Sequence, residues 1–134
     1  MSEKSIFSKI VEGEIPCEHV AESENFLAFL DIAPVSQGHT LIIPKEEFKD
    51  FHEFPQKLAQ EWVLFTQEVM GLLTKKLSCN GINIGMNNGS AAGQVVFHQH
   101  THIIPRYEGD GLEHWPNKEV SPEELAELAK KIRE

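Results

Sequence analysis

The segment His98-Gln99-His100-Thr101-His102 carries more reactive side chains than any other stretch of this sequence. An imidazole can move a proton near neutral pH, attack an electrophile or ligate a metal. Residues two apart share one face of a strand, so an extended chain aligns the three rings. A helix would not, because it turns residues two apart by about 200°. Phe97, Gln99, Thr101 and Ile103 would fall on the opposite face. The alternation predicts a long strand from Val95 to about Pro105.

Three chemistries fit such a face. One is a solvated polar surface that happens to be rich in histidine. A second is a metal site, since neutral imidazole is a common zinc ligand. Neighbours two apart on a strand lie about 6.7 Å from each other. Zinc needs its nitrogens about 2.1 Å away. Two rings can tilt inward to that distance more easily than three. The third is nucleophilic catalysis, in which the middle ring, His100, attacks phosphorus and forms a phospho-histidine. A carbonyl accepting from its other nitrogen would fix tautomer and direction. The flanking rings, His98 and His102, could donate to non-bridging oxygens or to the leaving group.

The elements around this segment must position it. Upstream, Asn87-Asn88-Gly89-Ser90-Ala91-Ala92-Gly93-Gln94 reads as a loop able to adopt positive φ and offer N–H groups to one anion. His39 follows Gly38 at the mouth of an apolar strand, Thr40–Pro44. His19–Glu22 and Phe26–Leu30 read as a hairpin, and Ile82–Met86 as a further strand. A short helix is expected after Ser5, with Ile6, Phe7, Ile10 and Val11 on one face and Gly13 as its stop. A long helix is expected from about Pro55 to Ser78, ended by Asn80-Gly81. Its apolar stripe is Leu58, Trp62, Phe65, Val69, Leu72 and Leu73. Ser121-Pro122-Glu123-Glu124 opens a third helix with the apolar stripe Leu125, Leu128 and Ile132. Five strands with short turns predict an α+β fold, a five-stranded antiparallel sheet with its helices on one side.

Composition narrows the function classes. The 134 residues are 40% hydrophobic and 25% charged, which fits one domain spanning 1–134. A net charge of −9 argues against nucleic-acid and anionic-membrane partners, both of which need a basic footprint. A single small phosphate can still be held by backbone amides and histidines. Cys17 and Cys79 form no paired motif, and no apolar run approaches membrane-spanning length. A reducing, cytoplasmic setting is the default expectation.

His98 through Ile104 resembles the alternating-histidine signature of the histidine triad (HIT) family, with Gln99 and Thr101 more polar than the pattern prefers. Further stretches are also similar to that family. They are Ile6–Ile10 with Glu14-Ile15-Pro16, Leu27–Ile32, Gly38–Lys45 and Asn87–Gln94. The Hint branch and its microbial relatives are most alike. The resemblance implies a five-stranded antiparallel sheet with two main helices, here with an added C-terminal helix, and a two-fold homodimer. It implies hydrolysis at the α-phosphate of a nucleoside phosphoramidate or related nucleotidyl substrate, through a covalent nucleotidyl-histidine and without a cofactor. Dinucleoside polyphosphate hydrolysis, nucleotidyl transfer, or nucleotide binding with little turnover are the alternatives.

The resemblance also assigns roles to residues. His100 is the nucleophile, His98 orients it, His102 contacts the phosphate and His39 completes the site. Asp31 would accept from ribose hydroxyls. Asn87, Gly93, Gln94 and Val95 would surround the phosphate. A purine would lie among Phe7, Ile10, Phe29 and Ile32. Trp115 is similar to a C-terminal tryptophan that reaches the partner's site, although the segment before it is longer here. Two departures stand out. Some microbial members bind zinc through Cys-x-x-Cys and a further histidine, together with the first histidine of the triad. This chain has Ser5, Ser8 and Glu47 in those places, so no structural zinc is expected. Val95 stands where a Ser or Thr hydroxyl would assist the leaving group, which lowers the expected rate.

Overall fold

The computed structural model describes residues 3–134. Its elements run α1 (Ile6–Val11), β1 (His19–Glu22), β2 (Phe26–Leu30), β3 (Thr40–Pro44), α2 (Gln56–Leu77), β4 (Gly81–Gly85), β5 (Thr101–Arg106) and α3 (Pro122–Arg133). The five strands form one antiparallel sheet in the order β1-β2-β3-β5-β4. The fold is α+β.

The helices do not share one side of the sheet as expected. Alternation along β2 sends Phe26 and Ala28 to one face and Leu27 and Phe29 to the other. The first face packs under α2, where Phe65, Val69 and Leu73 join Phe26, Ile42 and Ile103. Each such side chain contributes about 1.5–3 kcal/mol on burial. The second face packs under α1, where Phe7 meets Leu27, Phe29, Leu41 and Ile43. Burial on both faces explains the unbroken apolar runs of β2 and β3.

The expected long strand is shorter, because β5 begins at Thr101 and not at Val95. Side chains and loops take the backbone groups that a longer ladder would use. The Pro44 carbonyl receives the His98 ring, and the His98 carbonyl receives the His100 ring. The Gln99 amide donates to Phe48 beyond the end of β3. β3 also ends on a proline, which has no N–H to extend the pairing.

α1 begins at its Ser5 cap, whose hydroxyl accepts from the Ser8 amide. α2 stops at Ser78, which adopts the left-handed conformation at φ 54, so Asn80-Gly81 is not the terminator. Gly81 opens β4 instead. α3 is capped by Ser121 as expected, yet its stripe of Leu125, Leu128 and Ile132 is exposed and not packed on the sheet.

Candidate functional site

β5 splits its side chains between two tasks. Thr101 and Ile103 point into the α2 core, and the Trp62 indole N–H donates to the Thr101 hydroxyl at 2.8 Å. His102, with His100 just before the strand, faces the α1 side. There a cavity of about 280 Å³ is lined by Phe7, Ile10, Phe29, Asp31, Ile32, His100 and His102. Ile6, Ile15, Pro16, Cys17, Leu30, Leu41 and Val96 complete its wall.

Hydrogen bonds to carbonyls and an amide assign the tautomers of His98, His100 and His39, and His39 in turn assigns that of His102. The His98 carbonyl accepts from His100 Nδ1 at 2.9 Å. The Nε2 lone pair of a neutral His100 is therefore free in the cavity. The Pro44 carbonyl accepts from His98 Nε2 at 2.8 Å, so His98 Nδ1 is an acceptor and takes the Ser5 hydroxyl at 2.6 Å. The Val35 amide donates to His39 Nδ1 at 3.0 Å, which places the His39 proton on Nε2. That proton goes to His102 Nδ1 at 2.9 Å, leaving His102 Nε2–H as a donor.

The rings also hold each other mechanically. His100 stacks edge-on against Phe7 at 4.9 Å between centroids and against His102 at 5.2 Å. Burial, followed by the neighbouring His100 and His39, pushes His102 down to about 4. Burial likewise lowers His39 and His98. These three rings are neutral at physiological pH.

Some of the expected site residues meet here and others do not. Phe7, Ile10, Phe29, Ile32, Asp31, His100 and His102 share the cavity, with Ile32 on its rim at 98% exposed. His98 lies behind His100 and His39 behind His102. Asn87, Gly93, Gln94 and Val95 are absent from the cavity wall and form the adjoining loop. Gly89 and Gly93 take positive φ there, as the loop reading requires. The Gly93 and Gln94 amides donate to the Ser90 and Gly89 carbonyls within the loop. The Gln94 side chain is a buried clamp. Its oxygen accepts from the Gly89 amide, and its nitrogen donates to the Lys49 and Val96 carbonyls. The Val95 and Val96 amides have no hydrogen-bond partner among the described residues.

Two clusters gather side chains of the kind that ligate metals. At the first, Ser5, Ser8, Glu47 and His98 do converge. Their hydroxyls, however, are occupied as hydrogen-bond donors and an acceptor, and a serine hydroxyl is not a zinc thiolate. The zinc of the family's microbial members does not fit this set. At the second, Asp31, His39 and His102 place one ligand atom each within 4.8 Å of one another. His39 Nε2 holds the ring's proton there, because Val35 occupies Nδ1, and it offers no lone pair. Sequence reasoning flagged Ser5, Ser8 and Glu47 as departures but missed that they bond to one another and to His98. The donation from the Val35 backbone left no sequence signal at all.

The HIT domain family model matches residues 12–109. An uncharacterized HIT-like protein of Methanocaldococcus jannaschii is 47% identical over 96% of this chain and 98% of its own length. Adenosine 5'-monophosphoramidase hnt1 of Schizosaccharomyces pombe is 43% identical over 95% of this chain and 94% of its own. A crystal structure of a HIT-family member from Bacillus subtilis matches with a TM-score of 0.88 at 40% identity, covering 98% of this chain and 96% of that one. Sequence and backbone agree with these relatives over nearly the full length, and the chain belongs to the HIT family.

Proposed function

We propose that this protein is a nucleotide-binding hydrolase that cleaves a bond at the α-phosphate of a nucleoside phosphoramidate or related nucleotidyl substrate. The observation that carries this reading is the locked His100 ring, with Nδ1 held by a carbonyl and Nε2 free in an apolar cavity. The free nitrogen attacks the α-phosphorus. The new P–N bond forms as the bond from the α-phosphorus to the leaving group breaks, and the departing group takes a proton from solvent. The adduct's positive charge is met by the His98 carbonyl. His102 Nε2–H and the Val95 and Val96 amides supply donors to the non-bridging oxygens. Water then breaks the P–N bond, releases the nucleoside monophosphate and restores neutral His100. In this reading the chain's own imidazoles and amides supply the nucleophile and the donors that hold the phosphate, with water as the second nucleophile.

The purine slot in this reading is the apolar wall of Phe7, Ile10, Phe29 and Ile32, and Asp31 at the cavity edge accepts from ribose hydroxyls. A name borne by a relative, adenosine 5'-monophosphoramidase, points to the same substrate class. The test is His100→Ala assayed with adenosine 5'-phosphoramidate. Turnover should fall by roughly four orders of magnitude while AMP still binds. Retained turnover overturns the reading. A binding module with slow turnover is the second reading, because an apolar Val95 stands at the loop, 84% exposed.

The working unit in this proposal is a homodimer. β4 is an edge strand with Ile84 exposed, and α2 carries exposed Val63 and Leu64 on its outer side. Sedimentation should give twice the chain mass, and Leu64→Glu should return it to one chain.

A further inference from the structure

We propose that Ser5 is a positioning residue for His100, held in place by Glu47. This rests on the reading of His100 as the nucleophile. The route runs from Glu47 through Ser5 to the His98 ring by hydrogen bonds, and from that ring through the covalent frame of His98 to the carbonyl that holds His100. The Glu47 carboxylate accepts from the Ser5 amide and the Ser8 hydroxyl, both at 2.9 Å. These two donors hold the Glu47 carboxyl below the usual carboxylate range. The Ser5 hydroxyl donates to His98 Nδ1 at 2.6 Å. His98 Nε2–H donates to the Pro44 carbonyl, and the His98 carbonyl accepts from His100 Nδ1.

His98 is fully buried, so its Nδ1 cannot turn to water for a replacement donor. The Ser8 hydroxyl, 3.5 Å away, is already committed to Glu47. Without Ser5 the ring loses one of its two anchors, and the peptide that orients His100 loses its fixed partner. Ser5 also caps α1, and α1 brings Phe7 against both His98 and His100 at 5.7 and 4.9 Å between centroids. One hydroxyl therefore joins the cavity wall to the peptide that aims the nucleophile.

A plain helix cap would look the same in a stability assay, so the test separates the two roles. Ser5→Gly removes the hydroxyl, yet glycine is itself a well-accepted residue at a helix N-cap. Ser5→Thr keeps both cap and donor. With adenosine 5'-phosphoramidate, Ser5→Gly should lower kcat roughly tenfold to a hundredfold, with KM within about twofold, and Ser5→Thr should restore it. Ring-nitrogen NMR gives a readout that needs no turnover. In the unmodified protein His98 should be a single Nε2–H tautomer with a strongly hydrogen-bonded Nδ1. His100 should be a single Nδ1–H tautomer that becomes mixed in Ser5→Gly. Wild-type kcat with unmoved ring signals in Ser5→Gly overturns the proposal. So does a different His98 tautomer in the unmodified protein, even if the variant does not fold. Should His100→Ala retain turnover, the nucleophile reading fails while the spectra still test the tether.

Discussion

Each histidine of the site answers to a different neighbour, and those neighbours decide which nitrogen carries the proton. His100 is set by a carbonyl two residues back, and His39 by the Val35 amide. His98 is set by Pro44 and His102 by His39. The alternation of the rings was legible in the sequence, because strand period alone predicts a shared face. Their tautomers were not, because each partner except the His98 carbonyl is remote in the chain or a backbone group of no distinctive type. The remaining residue of consequence is Val95. Its side chain stands in solvent beside the site and can offer a departing group nothing but bulk. Val95→Ser places a hydroxyl there without disturbing a packed core. Turnover of adenosine 5'-phosphoramidate should rise by roughly tenfold, within the range typical of a positioned proton donor or acceptor. An unchanged rate removes Val95 as a reason to expect slow turnover.

At the scale of elements, the helices were legible wherever local signals sufficed. The stripe from Leu58 to Leu73 and the Ser5 and Ser121 caps placed α1, α2 and α3 closely. What local pattern could not show was which face of the sheet α1 covers, since a six-residue helix carries no record of its tertiary partner. It also could not show that side chains end the β5 ladder at Thr101. Gly38 illustrates a constraint visible only in three dimensions. It sits at φ 91, and a Cβ there would collide with Leu77 at the end of α2 and press on Pro105 of β5. Positive φ and crowding act together, so Gly38→Ala should cost about 2–4 kcal/mol in denaturant unfolding. Because His39 is the next residue, the same variant should weaken the hydrogen bond from His39 to His102.

For the whole molecule, buried neutral histidines couple stability to pH. His102 falls from an ordinary 6.5 to about 4 on folding, and burial lowers His39 and His98 as well. Between those values the unfolded chain binds more protons than the folded one. Stability is therefore full above about pH 6.5 and is lost progressively as pH falls toward 4. Urea midpoints should drop across that window and stay level from pH 7 to 8. In His39→Gln the drop should be smaller, because one of the three rings is gone. A midpoint that is flat from pH 7 to 4.5 contradicts the burial of these rings.

The division of β5 between two faces has a consequence for folding fidelity. Its odd-numbered residues seal the α2 core, and its even-numbered His102 serves the cavity. A slip of one residue against β3 or β4 would push an imidazole into the core and turn Ile103 toward the cavity. No slightly misaligned chain could keep the chemistry. Turnover per mole of chain thus counts the molecules whose sheet closed in the correct alignment, and a refolding experiment could use it as a register assay.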